Sequence, residues 1–333
     1  MRGKIKTFVN KCLSVSYMGE GWNNKLIQDL IEAGRTIGYI ETISNKADKL
    51  HLSIKNSDEK RFIHEFEQVT RFAIARLGLK GKKVRIAFDV TEDKTWCKNN
   101  YNLRASSKEH HINSWQYLNV AIVCPYFIPL MSIPYTQIRN LDDLVINLLE
   151  YTRRLPFVVD LYLFDRGFYH GHLIDFLENR KGRKPFPYLM LVPKKGKIKE
   201  FAEQTINLRY FEHEIKYKKD QTSWKTKTKI ICRRIDEDVC WCYATNQKPS
   251  LLLLSRYSQR WNIETGFRIH DEARIKSKSK HMMIRYFYHL IGMLLVILWR
   301  IENLDKSYTF KGYLKETEDY FKLVEIKELW MPP

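Results

Sequence analysis

The order of apolar runs between residues 84 and 193 constrains the fold of this chain more than any other feature. Three runs rich in β-branched and aromatic residues come first, and the last two of them meet at Pro125. A helical pattern, an apolar run, a second helical pattern and a final apolar run follow. The seven segments are VRIAFDV at 84–90, WQYLNVAIVC at 115–124, YFIPLMSIPY at 126–135, LDDLVINLLEYTRRL at 141–155, VVDLYLFD at 158–165, HGHLIDFLENR at 170–180 and PYLMLVP at 187–193. The sequence therefore predicts an α/β domain built from three strands, a helix, a strand, a helix and a strand.

Two acidic residues close apolar runs of this domain. Asp89 lies inside the first run, and Asp165 ends the fourth strand, where the Arg-Gly pair that follows it marks the strand end. Glu92 and Asp93 compete with Asp89 as the functional carboxylate, and Asp160 competes with Asp165. We favour Asp89 because it lies within the apolar run, and Asp165 because an active-site carboxylate is normally presented at the end of a strand.

A third acid lies far downstream in YSQRWNIETGFR, residues 257–268. Tyr257, Arg260 and Glu264 follow one another at steps of three and four, which place them on one face of an α-helix. A carboxylate between a guanidinium and a phenol is suited to hold a divalent metal beside a phosphate. The alternative is a solvated helix face with an ordinary Arg–Glu pair. With the two upstream acids, Glu264 completes the series Asp, Asp, Glu.

This series resembles the DDE transposases of prokaryotic insertion sequences, in the branch with Tyr-x2-Arg-x3-Glu-x6-Lys (insertion-sequence family four type). Tyr257, Arg260 and Glu264 match that motif, the first acid lies in AFDVTEDKTW and the second in LFDRGFY. The resemblance covers roughly residues 80–300. It implies an RNase H-like mixed sheet flanked by helices, with a β-rich insertion before the last catalytic helix. The first and fourth strands would then be neighbours, with Asp89 facing Asp165.

The resemblance also implies an activity and its partners. The activity is metal-dependent cleavage of double-stranded DNA at transposon ends and strand transfer into target DNA. Asp89, Asp165 and Glu264 would hold two Mg²⁺ ions ~3.5–4 Å apart, or Mn²⁺ in their place. Tyr257 and Arg260 would hold the DNA backbone near the scissile phosphate. We expect a homodimer on DNA, without a membrane partner, in the cytoplasm.

The sequence departs from the motif at its last position. The seventh residue after Glu264 is Asp271, where the family pattern has Lys. Three nearby cations are candidates for the phosphate contact that the family assigns to this lysine: Arg268, Arg274 and Lys276. Trp261 directly follows Arg260, and its indole would either stack on a flipped base or pack in the core.

Charge and composition agree with a nucleic-acid partner. Lys and Arg number 57 against 38 Asp and Glu, which gives a net charge of +19, and such an excess favours polyanions through counterion release. Ribosomal and membrane-surface proteins share this property. The six cysteines show neither a disulfide framework nor the spacing of a zinc site, which fits a reduced, cytosolic protein.

Residues 194–249 form the basic insertion that interrupts the catalytic domain. Lysines alternate along its predicted strands, as at Lys225 and Lys227, with Trp224 beside them. One lysine-bearing face would track a phosphate backbone. The alternative is a solvated edge on which lysines prevent sheet-to-sheet pairing.

The remaining segments complete the predicted domain organisation. Residues 1–80 form a helical region that either reads transposon ends as a helix-turn-helix or packs on the catalytic domain, which comprises 81–193 and 250–305. Residues 306–333 form a C-terminal tail. The apolar run at 286–299 is shorter than the ~20 residues of a membrane span and contains His289, so we predict a buried helix there.

Two further function classes compete with an active transposase. One is an RNase H-like nuclease that cuts without joining, and the other is a domesticated, non-catalytic DNA-binding protein. The presence of all three acids with Tyr257 and Arg260 argues against the second of these alternatives. The match to the specific motif argues against the first.

Overall fold

The structure is a computed structural model that describes residues 2–13, 22–98, 100–106, 109, 111–179 and 184–330. Within these residues, nine strands form one mixed sheet, in the order β2-β3-β1-β5-β6-β9-β8-β7, with β4 also paired to β3. The strands are β1 (Lys83–Thr95), β2 (Arg104–Ala105), β3 (Asn113–Cys124), β4 (Ile128–Pro134), β5 (Val158–Phe164), β6 (Tyr188–Leu191), β7 (Leu208–Lys219), β8 (Thr222–Arg234) and β9 (Cys240–Thr245).

Helices flank this sheet and precede and follow it in the chain. They are α1 (Gly3–Cys12), α2 (Trp22–Thr36), α3 (Ile40–Ile43), α4 (Ala47–Lys55), α5 (Glu59–Arg76), α6 (Leu141–Arg153), α7 (Gly171–Glu178), α8 (Lys197–Glu203), α9 (Leu251–Ser255), α10 (Trp261–Asp271), α11 (Met282–Glu302) and α12 (Phe310–Trp330). Two short 3-10 helices span Arg166–Phe168 and Arg256–Arg260.

The core of the sheet has the strand order β4-β3-β1-β5-β6, which is the RNase H-like arrangement. β1 pairs with β3 antiparallel and with β5 parallel, and β5 pairs with β6 parallel. The predicted neighbourhood of the first and fourth core strands is therefore confirmed. β3 is buried along nearly its whole length, because strands lie on both sides of it and helices cover it. α6 begins where the side chain of Asn140 accepts hydrogen bonds from two backbone N–H groups of the first turn.

The insertion adds strands to this same sheet. β9 pairs antiparallel with β6, and β8 and β7 follow it outward. β7 and β8 form a hairpin whose turn residues, Asp220 and Gln221, both have positive φ, which suits a tight turn between twisted strands. Along β8, Lys225, Lys227 and Lys229 are exposed, whereas Thr226 and Thr228 between them are buried. The predicted alternation of lysines on one face is thus observed.

The N-terminal helices pack on the rest of the chain. α5 and α4 lie against α11, α1 lies against α5, and α2 lies against α12. These contacts favour the alternative in which the helical region packs on the catalytic domain over the alternative in which it forms a free helix-turn-helix. The segment after residue 305, expected as a tail, contains the long helix α12.

α11 is the apolar helix expected near residues 286–299. It is long and apolar enough to cross a membrane by length and composition, but 83% of its most apolar window is buried inside the fold. Tyr286 in this helix donates a hydrogen bond to the carbonyl of Ser132 in β4. Burial in the core accounts for the composition of this helix.

Candidate active site

The parallel register of β1 and β5 brings Asp89 and Asp165 to the same level of the sheet. The last paired residues are Ala87 and Leu163, and each aspartate lies two residues further along its own chain. Side chains alternate along extended backbone, so residues two apart face the same side. Asp165 keeps extended backbone, with φ −79° and ψ 168°. The two carboxylates therefore lie on the same side, next to each other, just beyond the last paired residues of β1 and β5.

Asp89 carries the strongest electrostatic signal of the site. Burial, as the largest cause, and the negative charges of Glu264 and Asp165 together raise the pKa of its carboxyl to about 7, against the opposing charge of Arg260. The third acid, from α10, thus acts on the first acid across a distance of 175 positions in the sequence. The three predicted acids share one electrostatic environment.

Asp160, the competitor of Asp165, is occupied by arginines. Its Oδ2 accepts a hydrogen bond from Nε of Arg85 at 2.9 Å and lies 3.3 Å from Nη1 of Arg256. Asp165 forms no ion pair with a residue that the structure describes. This difference favours Asp165 as the functional carboxylate.

The competitors of the first acid are also occupied. Asp93 lies between Nη1 of Arg274 at 3.4 Å and Nη1 of Arg285 at 3.5 Å. Glu92 accepts a hydrogen bond from the hydroxyl of Ser106 at 2.7 Å. Both acids serve local structure, which leaves Asp89 as the carboxylate available for chemistry.

The segment that carries the third acid is not one continuous α-helix, and this part of the prediction is wrong. Tyr257 and Arg260 lie in the 3-10 helix, and α10 begins only at Trp261. In a 3-10 helix, residues three apart eclipse each other, so the guanidinium of Arg260 still lies 5.8 Å from the ring of Tyr257. Glu264 lies in the first turn of α10 and its side chain is 41% exposed.

Tyr257 joins the motif to the strand of the second acid. Its hydroxyl donates a hydrogen bond of 3.1 Å to the carbonyl of Phe164, the residue directly before Asp165. Its buried ring packs edge-on against Tyr243 of β9 at 5.0 Å. Tyr257 is a positioning residue in this arrangement, and its contact with DNA stays a prediction.

Arg260 is the most unusual side chain of the site, because it is buried and only partly satisfied. Nη2 donates to Oε1 of Glu264 at 2.7 Å, whereas Nε and Nη1 are buried without a hydrogen-bond partner among the described residues. Burial lowers the pKa of Arg260, but Tyr257, Asp165 and Glu264 together raise it above its ordinary value. Two buried, unpaired N–H groups are costly, so this guanidinium is prepared for an acceptor that a ligand brings.

A glycine that the sequence analysis did not single out sets the position of α10. A Cβ on Gly266 would lie 2.3 Å from ring atoms of Phe127, which precedes β4. Only a residue without a side chain allows this approach, and it lies two positions after Glu264. The isolated glycine inside a helical pattern was the signal available in the sequence.

The other predicted DNA-contacting residues near α10 differ in their surroundings. Trp261 is 53% exposed, with the guanidinium of Arg260 5.0 Å from its ring. Arg268 is exposed and forms no ion pair with a described residue. Arg274 instead pairs with two carboxylates, and Lys276 lies 6.0 Å from the ring of Tyr39. Of the three cations that could take the phosphate contact of the family lysine, Arg268 is therefore the exposed one that pairs with no described residue.

Lys225 and Lys227 are exposed on β8, and Lys225 forms an ion pair of 3.2 Å with Glu214 of β7. β9 and β6 separate β8 from β5, the strand that leads to the second acid. These lysines lie away from the three acids, on the outer part of the sheet. Their contact with DNA stays a prediction.

The acids do not form a ready-made coordination cluster. No group of three or more His, Cys, Asp and Glu side chains arranged to hold a metal occurs in the part of the chain that the structure describes. The carboxylate of Glu264 is turned toward Arg260. The donor set nevertheless suits Mg²⁺ or Mn²⁺, because it consists of carboxylate oxygen atoms.

Comparison with known proteins agrees with this geometry. Residues 136–299 match the family described as "Transposase DDE domain", a segment that includes Asp165 and Glu264. No curated protein sequence matches the chain. The fold is similar to that in a cryo-EM structure of piggyBac transposase in a synaptic complex with hairpin DNA. The similarity covers 99% of this chain and 79% of that chain, with a TM-score of 0.60 and 11% identity. Residues 136–299 thus match a transposase DDE domain family, and the fold of the chain is similar to that of piggyBac transposase.

Proposed function

We propose that this protein is a transposase that cleaves DNA at transposon ends and transfers the freed strands into target DNA. The observation that carries the proposal is the convergence of charge on Asp89, whose pKa is raised to about 7 by burial and by Glu264 and Asp165. Three acids from distant parts of the sequence act on one another just beyond the paired part of β1 and β5. A structural ion pair does not require this accumulation of negative charge.

Asp89, Asp165 and Glu264 would hold the metal ions. Bound Mg²⁺ or Mn²⁺ supplies activation of a water or a 3′-hydroxyl and stabilisation of the leaving oxygen at the phosphate. The chain itself keeps Asp89 half-buried and, among the described residues, outside any direct ion pair, so that its carboxylate is available. Glu264 would exchange its hydrogen bond to Arg260 for the metal.

Arg260 would bind the scissile phosphate. Its Nε and Nη1 are buried without partners among the described residues, and release of Glu264 would free Nη2, which forms a bidentate fork for phosphate oxygens with either of them. Arg268 would take the phosphate contact of the missing motif lysine, since it is exposed and unpaired by any described residue. Trp261 would stack on an unpaired base. With these roles, the site would work as in the insertion-sequence transposases that carry the Tyr-x2-Arg-x3-Glu motif.

The partner would be double-stranded DNA, held by the exposed lysines Lys225 and Lys227 and by the net charge of +19. Both ends of a transposon must be held together during transfer, which favours a homodimer on DNA. The piggyBac structure contains a synaptic complex with hairpin DNA, and this supports a DNA substrate here by similarity of fold.

The test is an end-cleavage and strand-transfer assay on labelled duplexes that carry the inverted repeats flanking the coding region. We expect Mg²⁺-dependent cutting and joining by the wild type, with DNA binding but no chemistry in Asp89→Asn, Asp165→Asn and Glu264→Gln. Asp160→Asn provides the matched control, because this competing acid is bound by arginines; it should keep the chemistry.

Each outcome separates the competing functions. Cutting without joined products would identify a nuclease, and binding without cutting by the wild type would identify a non-catalytic DNA-binding protein. Chemistry that survives all three acid substitutions, or that is lost in Asp160→Asn but not in Asp165→Asn, would overturn the proposed site.

A further inference from the structure

A chain of ion pairs links the strand of the first acid to the helix of the third. Nη2 of Arg274 donates to Oδ1 of Asp271 at 2.6 Å, and Nη1 of the same residue lies 3.4 Å from Oδ1 of Asp93. Asp271 is the last residue of α10, and Asp93 lies in β1. One guanidinium therefore bridges the two elements.

The bridge lies along the same interface as the acids. Asp93 follows Asp89 by four residues on β1, and Asp271 follows Glu264 by seven residues, about two helical turns, on α10. α10 packs against β1. A shift of the helix at its C-terminal end would therefore change the distance between Glu264 and Asp89.

The bridge is held by charge on both sides. Burial lowers the pKa of Arg274, but Asp271 and Asp93 together raise it above its ordinary value. The side chain of Arg274 is 33% exposed, so these pairs are less screened than those at an open surface. Arg285 also lies 3.5 Å from Asp93, whereas Asp271 depends on Arg274 and its own neighbour His270.

We propose that Arg274 is a positioning residue that sets the distance of Glu264 from Asp89 by clamping α10 to β1 through Asp271 and Asp93. This inference rests on the proposed function. It also explains the departure from the motif, because the aspartate at position 271 points its charge at an arginine of this chain and not at DNA. From the sequence, Arg274 is also a candidate DNA contact, and the two roles make different predictions.

The test compares full-length Arg274→Gln, Arg274→Lys and wild type. The Tm, measured without DNA at increasing Mg²⁺ concentration, gives the concentration at which Mg²⁺ binding is half-saturated. The cleavage rate at increasing Mg²⁺ concentration gives a second value of the same quantity. We expect Arg274→Gln to raise both values about tenfold, the typical cost of losing an outer contact that orients a metal ligand. The affinity for end DNA should change less than about twofold, since neither bridge partner would touch DNA. Arg274→Lys should recover much of the shift.

Arg71→Gln is the matched control, because Arg71 forms a half-exposed pair of 2.7 Å with Glu67 on α5, away from this interface. It should leave the half-saturating Mg²⁺ concentration unchanged. Should Arg274→Gln fail to fold, Asp271→Asn removes the charge at the other end of the same bridge and is expected to raise the value in the same direction.

Three results would overturn the inference. Arg274→Gln could keep the wild-type half-saturating Mg²⁺ concentration and lose activity only in proportion to the protein that is unfolded. That result would show that the ion pairs of Arg274 have a structural role alone. Weaker DNA binding at unchanged Mg²⁺ half-saturation would make Arg274 the DNA contact. A wild type that responds to Mg²⁺ in neither assay would defeat the proposed function, and this inference with it.

Discussion

The hydroxyl of Tyr257 donates a hydrogen bond to the carbonyl of Phe164, the residue directly before Asp165. A second such bond runs from the side-chain amide of Asn262 to the carbonyl of Val123 in β3, at 2.9 Å. The segment that carries Glu264 is therefore attached to the ends of two core strands. Placement of the third acid depends on these contacts as well as on α10 itself.

Tyr257→Phe should misplace the site more than it destabilises the fold. The lost hydrogen bond leaves a buried carbonyl unpaired and should cost about 1 kcal/mol in the free energy of unfolding. We expect cleavage to fall about tenfold or more, because small displacements of reacting groups are costly. Tyr151→Phe is the control, since Tyr151 makes a buried hydrogen bond of 3.1 Å to the carbonyl of Leu130. The cleavage rate and the free energy of unfolding, from chemical denaturation, are measured for both variants. Equal losses of cleavage in the two would contradict a positioning role for Tyr257.

Gly266→Ala should displace α10. The new methyl group would lie 2.3 Å from ring atoms of Phe127, so the helix or the ring must move, at a cost of about 2 kcal/mol or more. Differential scanning calorimetry would show a lower Tm than that of the wild type. Gly3→Ala, where a Cβ meets no atom within 4 Å, should leave the Tm unchanged or slightly raised. Adding Phe127→Leu to Gly266→Ala should recover part of the lost Tm. If the Tm did not recover, the clash with the ring of Phe127 would not be the cause of the destabilisation.

Asp89→Asn should stabilise the protein without metal. The pKa of Asp89 is raised from 3.8 to about 7, so the folded state holds its proton while the unfolded chain releases it. Stability is therefore lost as the pH rises from about 4 to about 7, and the full penalty is present above pH 7. At pH 8 the variant should be more stable by about 2 kcal/mol, an advantage that disappears below pH 4. Mg²⁺ should stabilise the wild type and not the variant. If Asp89→Asn were less stable than the wild type at pH 8, this would contradict the claim that the ionised carboxylate of Asp89 destabilises the folded state.

His289 should make the fold sensitive to acid. Burial, with the charges of His270 and Arg274, lowers the pKa of this imidazole well below its ordinary value. Its Nε2 lies 3.2 Å from Oδ1 of Asn119, and its ring stacks on Tyr117 at 4.1 Å. The folded state thus keeps His289 neutral, and stability is lost as the pH falls below about 6.5, where the unfolded chain takes up a proton.

The matching measurement is the free energy of unfolding of wild type and His289→Gln between pH 8 and pH 5. The variant should be less stable at pH 8, because it loses the packed ring. It should also lose less stability on acidification, by up to about 1.4 kcal/mol per pH unit. Parallel curves for the two proteins would show that His289 does not carry this dependence.

The core strands and their acids were predictable because the signals are local. Each apolar run ends at a turn or an acid, and the spacing of Asp89 and Asp165 follows from one crossover between neighbouring parallel strands. The sequence favours Asp89 over Asp93 by its place within the apolar run, but the pairing that occupies Asp93 was not decidable from the sequence. It depends on Arg274 and Arg285, which reach β1 from almost 200 positions away.

Other features depend on pairings that no local pattern contains. The alternation in 208–245 predicts strands, but it does not indicate that β9 joins β6 and extends the main sheet. The 3-10 geometry around Tyr257 follows from packing against Tyr243 and Phe164 and not from helix propensity. The fit of Gly266 against Phe127 likewise requires the tertiary structure, although the glycine itself is visible in the sequence.

Anomalous diffraction from crystals of the protein with Mn²⁺ and end DNA tests most directly whether the three acids make one metal centre. We predict Mn²⁺ peaks bound by the carboxylates of Asp89 and Asp165, with Glu264 turned away from Arg260 and toward the metal. Mn²⁺ bound elsewhere, with Glu264 still paired to Arg260 in the complex with DNA, would contradict the proposed chemistry.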